Sequence, residues 1–181
     1  STASRLSHRV AVSLATQFAL VMECFDISTA VLQGFTFSEV AQACRNLGRE
    51  TTIGRSVWFR PPGNVWRHMR ELLGSPVVVQ DPDVPIFILK CLKALYGLAD
   101  GPLMWQIALL TFLIKNLGFT VSYHDENFLF KVSGYTLVAL CTVHVDDLFV
   151  AASPALLDHL SKQIEAKFGN PKRHGMPFTC I

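Results

Sequence analysis

The sequence predicts an α+β fold, an antiparallel sheet with helices packed on one face, in a single partial domain spanning residues 1–181. Three observations predict it. Apolar runs of strand length follow segments of helical spacing in an order that suits helices layered on an antiparallel sheet. Phe128–Val132 and Tyr135–Val143 flank Ser133-Gly134, a two-residue hairpin connection open only to antiparallel strands. Leu137–Val143 and Leu148–Ala152 then meet across His144-Val145-Asp146-Asp147, which reads as a second hairpin tip.

From the N-terminus, Ser4–Ala19 carries Leu6, Val10, Leu14 and Phe18 at helical spacing, predicting a helix packed on that stripe. Ala19–Phe25 reads as a buried strand ending at Asp26. Ser38 is the expected cap of a short helix to Leu47, with Glu39 in its first turn and Gly48 as its stop. Ser56–Arg60 reads as a strand closed by Pro61-Pro62-Gly63, and Asn64–Leu73 as a helix closed by Gly74. Ser75–Pro85 holds three prolines and two aspartates and is expected to be a loop before a strand at Ile86–Lys90. Pro102 opens a long amphipathic helix to Asn116, with Gly118 beyond it, and Pro154–Phe168 forms the last one.

Composition narrows the classes. Half the residues are hydrophobic and only 17% are charged, which excludes a disordered chain. A formal net charge of +2 announces no nucleic-acid binder by itself. Five cysteines (Cys24, Cys44, Cys91, Cys141, Cys180) contain no C-x-x-C pair, so core thiols in a reducing compartment are expected rather than disulfides or zinc. The first ten residues lack a signal-peptide core, and no apolar run reaches the roughly 18–20 residues of a bilayer span. A cytoplasmic or nuclear, non-secreted protein without membrane contact is the expectation.

Asp146-Asp147 is the feature that points to chemistry. Like charges between two hydrophobic strands repel each other and lose hydration. A divalent cation would neutralise both, making the chain a candidate metal-dependent enzyme. Each piece has an ordinary alternative: Asp26 as a strand-end acid, Asp146-Asp147 as a solvated turn, Tyr96-Gly97-Leu98 as a junction. His124-Asp125-Glu126 reads as solvated surface, and Arg67, His68 and Arg70 as a solvated helix face. Lys162, Lys167, Lys172, Arg173 and His174 could meet phosphates or form a plain charged face. Trp58, Trp66 and Trp105 are expected in the core.

Three segments taken in order carry a resemblance: Asp26-Ile27-Ser28-Thr29-Ala30-Val31-Leu32-Gln33-Gly34, then Lys93–Leu98 with Pro102 and Trp105, then Val145-Asp146-Asp147. They resemble the palm of copia-type retrotransposon reverse transcriptases, with D-x-x-T-A-F-L-x-G, Y-G-L-K-Q-x-P-R-x-W and Y-V-D-D motifs. The resemblance implies an RNA-directed DNA polymerase palm within a polyprotein. Two Mg²⁺ (or Mn²⁺) ions about 3.5–4 Å apart would be bridged by Asp26 and Asp146, supported by Asp147 and the Ile27 carbonyl. Ser28, Thr29, Ala30 and Val31 would border the nucleotide. Tyr96, Gly97, His144 and Val145 would meet template and primer. The implied partners are an RNA or DNA template with primer, deoxynucleoside triphosphates and the remaining polyprotein segments.

Departures from the family pattern bear on activity. Val31 replaces an aromatic residue, Ala99-Asp100 replaces Lys-Gln, Leu103 replaces an arginine and His144 a tyrosine. The stretch between Phe35 and Ser56 is longer than expected and adds a helix. Upstream fingers and a downstream ribonuclease H segment are expected to be absent. The alternatives left open are a catalytically silent remnant and a sheet-based RNA-binding module that stacks bases on strand aromatics.

Overall fold

A computed structural model describes residues 2–46, 56–60, 62, 65 and 89–175. Helix α1 (Arg5–Gln17) leads into strand β1 (Val21–Asp26), a short α2 (Ala30–Gln33) and α3 (Phe37–Asn46). Strands β2 (Val57–Phe59) and β3 (Leu89–Cys91) pair as a separate two-stranded ribbon. Then come α4 (Gly101–Lys115), β4 (Thr120–Val121), β5 (Phe128–Ser133), β6 (Thr136–His144), β7 (Asp147–Ala152), α5 (Pro154–Phe168) and β8 (Lys172–Gly175). The expected helix from Asn64, the loop over 75–85, Ile86, Trp66, and the Arg67, His68 and Arg70 face lie outside the described residues.

The fold is α+β. Six antiparallel strands run in the order β4-β5-β6-β7-β1-β8. Alternation along β6 and β7 decides the layers: Cys141, Val143, Leu148 and Val150 point to one face and Leu140 and Ala151 to the other. Helices α4 and α5 cover the first face, through Trp105, Leu109, Leu113, Leu157, Leu160 and Ile164. Helix α1 departs from the expected arrangement by lying on the opposite face, where Ala15 packs with Leu140 and Ala151.

Of the expected stripe, only Leu14 packs against the sheet. Ser7, Ala11 and Ala15 are buried, whereas Leu6 is 71% exposed and Val10 and Phe18 face solvent. Both stripes have the same four-residue period, and the small side chains allow the closer approach to the sheet. Helix α4 is not amphipathic: it is apolar nearly all round, with Met104, Trp105, Ala108, Leu109, Phe112 and Leu113 buried. Helix α3, in the longer Phe35–Ser56 stretch, is capped by Thr36 rather than Ser38. Thr36 Oγ1 accepts from Glu39 N–H at 3.2 Å, and Glu39 Oε2 accepts from Thr36 N–H at 2.7 Å, a reciprocal capping box.

Two further differences are local. The hairpin turn is Gly134-Tyr135, because Ser133 still pairs with Thr136 and Gly134 takes the positive φ of 59°. Trp58 is 57% exposed on the ribbon, with Lys90 Nζ 5.8 Å from its ring, so it is no core residue; Trp105, at 1%, is. Cys141 is fully buried, which pushes its thiol up to about 12 and leaves it inert. Strand β8, unforeseen in Lys172-Arg173-His174-Gly175, forms by edge pairing to β1. Arg173 secures it, donating to Glu23 of β1 at 2.7 Å and 3.0 Å and to Asp158 of α5 at 2.7 Å.

Asp125, expected as solvated surface, instead ties α1 to the β4–β5 turn. Its carboxylate accepts from Ser4 N–H at 2.8 Å, from the Ser7 hydroxyl and from Asn127 N–H at 2.9 Å. Burial opposes its charge, but those bonds together outweigh it and hold the carboxyl below its ordinary value.

Two stability tests follow from this packing. A Cβ on Gly34 would lie 3.1 Å from Trp105 N and 3.2 Å from Met104 C, so Gly34→Ala should cost roughly 1–3 kcal/mol in urea denaturation. An unchanged midpoint would contradict the close approach of α2 to α4. Asp125→Asn should be less stable than the parent at neutral pH. Because the folded carboxyl is depressed, that difference is complete above the unfolded value of about 3.9 and disappears as pH falls through the folded one. A pH-independent difference would refute the charge-based tie.

Candidate functional site

The ends of β1 and β7 build the site. Their antiparallel register sets Asp26 directly opposite Asp147, and His144 of β6 pairs with Asp147 from the other side. Directly opposed residues hold their Cβ atoms about 4.5–5.5 Å apart on one face. That face is the one carrying α1, since Asp26 shares it with Cys24 and Met22 while Phe25 enters the main core. Val145 and Asp146 form the two-residue turn. The Asp146 carbonyl accepts from Ile27 N–H at 3.1 Å, extending the pairing one step past the strand end.

The turn is strained. Val145 has a positive φ of 49°, where a β-branched residue is a true outlier and glycine is favoured. Thr29, just past Asp26, is a second such residue at 56°. Strained β-branched residues thus stand close to the acids on both segments. The Trp105 indole N–H donates to the Val145 carbonyl at 2.7 Å.

Electrostatics single out Asp146. Partial burial raises its carboxyl above the ordinary value, and the charges of Asp147 and Asp26 raise it further. Its Oδ1 is buried with no hydrogen-bond partner among the described residues. An orphaned acceptor amid like charges fits a cation, because a cation satisfies the lone pairs and cancels the repulsion. Asp26 Oδ2 already attracts one positive group, Lys172 Nζ at 3.4 Å. The oxygens as placed are nonetheless not a ready-made cage: among the described residues, no group of three His, Cys, Asp or Glu side chains forms a metal cluster.

The other expected residues divide. Ser28 and Thr29 are exposed beside Asp26. Ala30 is fully buried in the main core, so its side chain meets no ligand. Val31 joins Leu95, Tyr96, Gly97, Leu98, Ala99 and Pro102 around a pocket of about 330 Å³. Val31 and the Tyr96-Gly97 segment, 65 positions apart in number, therefore share one cavity wall. Tyr96, His144 and Val145 are exposed, and Gly97 takes a positive φ of 91°. Of the late basic residues, Lys172 and Arg173 are engaged in ion pairs, while Lys162 and Lys167 sit on the outer face of α5. Phe25 and Phe149 of the central strands are buried, which leaves them unable to stack bases. Sequence reasoning missed Trp105 as a neighbour of the turn; its indole N–H, a polar handle in an apolar helix, was the available signal.

The chain is 26% identical over 166 residues to the retrovirus-related Pol polyprotein from transposon RE1 of Arabidopsis thaliana. It is 25% identical over 166 residues to that from transposon RE2 of the same organism. Each alignment covers 89% of this chain but 9% of the relative, so the chain spans less than a tenth of the length of those curated proteins. No family model and no solved structure matches. The similarity relates the chain to retrotransposon Pol polyproteins and supports a retroelement-derived segment. Among the described residues, no helix is long and apolar enough to cross a membrane.

Asp146→Asn tests the electrostatics without any ligand. The raised carboxyl destabilises the fold once pH exceeds its folded value, so removing the charge should raise the thermal midpoint at pH 7. Relief of opposed like charges is worth a few tenths to about 1 kcal/mol. A lower midpoint would mean that Asp146 is bonded rather than repelled.

Proposed function

We propose that the chain is the palm of a copia-type RNA-directed DNA polymerase, using Asp26, Asp146 and Asp147 for two-metal nucleotidyl transfer. The observation that carries this reading is the meeting of the three acids at one strand end, with a buried Asp146 oxygen lacking a partner. The order of the three motifs and the likeness to the RE1 and RE2 polyproteins support it.

Held by Asp26 and Asp146, with Asp147 and the Ile27 carbonyl beside them, two Mg²⁺ or Mn²⁺ ions would activate the primer 3′-hydroxyl and neutralise the leaving phosphate oxygens. The residues themselves bind and orient. The β1–β7 register keeps Asp26 and Asp147 on one face as substrate arrives. Exposed Ser28 and Thr29 leave space beside Asp26 for a triphosphate. Val31 and Tyr96-Gly97 bound the cavity for the incoming sugar and base. His144 and Val145, exposed at the hairpin tip, lie where a primer end would reach the acids. Lys172, beside Asp26, can pair with phosphate once a cation takes its place on the carboxylate. The smaller Val31 would discriminate weakly against ribonucleotides.

A specific feature favours a second reading, a polymerase fold that binds cations without extending primers. Ala99 lines the cavity and Asp100 follows it, in place of a cation and an amide. A negative charge there opposes bound phosphates.

Mn²⁺ titration followed by electron paramagnetic resonance tests both readings. The chain should bind Mn²⁺, and Asp26→Ala or Asp146→Asn should weaken binding by at least about tenfold, the effect of losing an anionic partner. Undiminished binding in either variant would remove the acids from the site. Template-primer extension by the full parent polyprotein then separates the readings. Extension abolished by Asp146→Asn supports the polymerase, and cation binding without extension supports the silent form.

A further inference from the structure

We infer that Trp105 is a positioning residue: its indole N–H holds the Val145 carbonyl and thereby fixes the turn that presents Asp146 and Asp147. The inference rests on the functional reading of those two acids. A two-residue hairpin turn with positive φ at its first central residue ordinarily uses glycine, asparagine or aspartate there. Val145, at 49°, has neither glycine's freedom nor a buried side chain to hold it, since it is 39% exposed. Something outside the turn must stabilise the unfavourable conformation.

Two backbone contacts do so. Ile27 N–H holds the Asp146 carbonyl at 3.1 Å, and Trp105 Nε1 holds the Val145 carbonyl at 2.7 Å across 40 residues of sequence. The indole is a rigid anchor. It is almost fully buried, its ring meets Phe168 edge-on at 5.1 Å, and the Gly34 approach fixes its backbone. An indole has one donor and no acceptor, so that single N–H is committed to the turn. Without it the Val145–Asp146 peptide is free to turn about ψ of Val145 and φ of Asp146, and the turn can relax out of the conformation that holds Val145 at positive φ. Rotation there re-aims the Asp146 carboxylate, while Asp147, already inside β7, stays paired with Asp26. Trp105 thus couples the α4 core to the acid that carries the unpartnered oxygen.

The test separates the N–H from the bulk of the ring. Replacing Trp105 by 3-benzothienylalanine exchanges N–H for sulfur in a ring of the same shape, and Trp105→Phe serves as the natural counterpart. In the metal-free chain, amide exchange at Val145–Asp147 should accelerate at least tenfold while the central amides of β6 and β7 keep their protection. Mn²⁺ affinity should fall 10- to 100-fold, the usual effect of removing a group that orients a ligand. Adding Val145→Gly to the sulfur variant should restore most of that affinity, because glycine adopts positive φ freely. Unchanged turn exchange overturns the inference, as does faster exchange with unchanged Mn²⁺ affinity, or failure of Val145→Gly to rescue. If the parent chain binds no Mn²⁺, the acid-site reading fails separately, and turn exchange alone decides whether the indole holds the hairpin.

Discussion

Antiparallel pairing of β1 with β7 places an acid from residue 26 across from one at residue 147, and the site depends on that register. A strand alternates faces every residue, so a slip of one position would send Asp26 into the core and bring Phe25 out. Phe25, Leu148 and Val150 prevent the slip, since each must reach the helix-covered face. Hydrophobic burial on one side of the sheet thus fixes electrostatics on the other. The hydrogen bond from Ile27 to Asp146 carries this control into the turn itself.

The same region holds what the fold would otherwise avoid. Three carboxylates share one strand end, an Asp146 oxygen is buried without a partner, and Val145 and Thr29 occupy positive φ. Structures retain such features only where surrounding packing over-determines them, and functional sites are where they collect. Here the surrounding packing is generous. Helices α4 and α5 bury a continuous apolar layer beneath the hairpin, and α1 closes part of the upper face through small residues and the Asp125 tie. Lys172 on β8 offsets some of the negative charge from the sheet edge.

Much of the fold was legible because period and punctuation agreed. Pro154–Phe168 and the two hairpins could be read from capping, alternation and turn residues alone. Failures occurred where two local patterns were equally good. Leu6-Val10-Leu14-Phe18 and Ser7-Ala11-Ala15 share one period, and only the available space above the sheet chooses between them. Ser38 looked like a cap, but Thr36 and Glu39 form the reciprocal pair. The β8 residues carry little strand preference, so their strand exists through pairing to β1 and the Arg173 ion pairs.

Among the described residues, the sequence by itself located the long helices that end near Gln17, Lys115 and Phe168, the hairpin that carries Asp146 and Asp147, and the acids proposed as cation ligands. Those follow from interactions between residues near one another along the chain. Only the tertiary structure decided that Asp26 faces Asp147, that Val31 shares a cavity with Tyr96, and that Trp105 reaches the Val145 carbonyl. Each of these joins residues tens of positions or more apart. Their meeting is set by strand register and helix packing summed over the whole core, which no local pattern encodes.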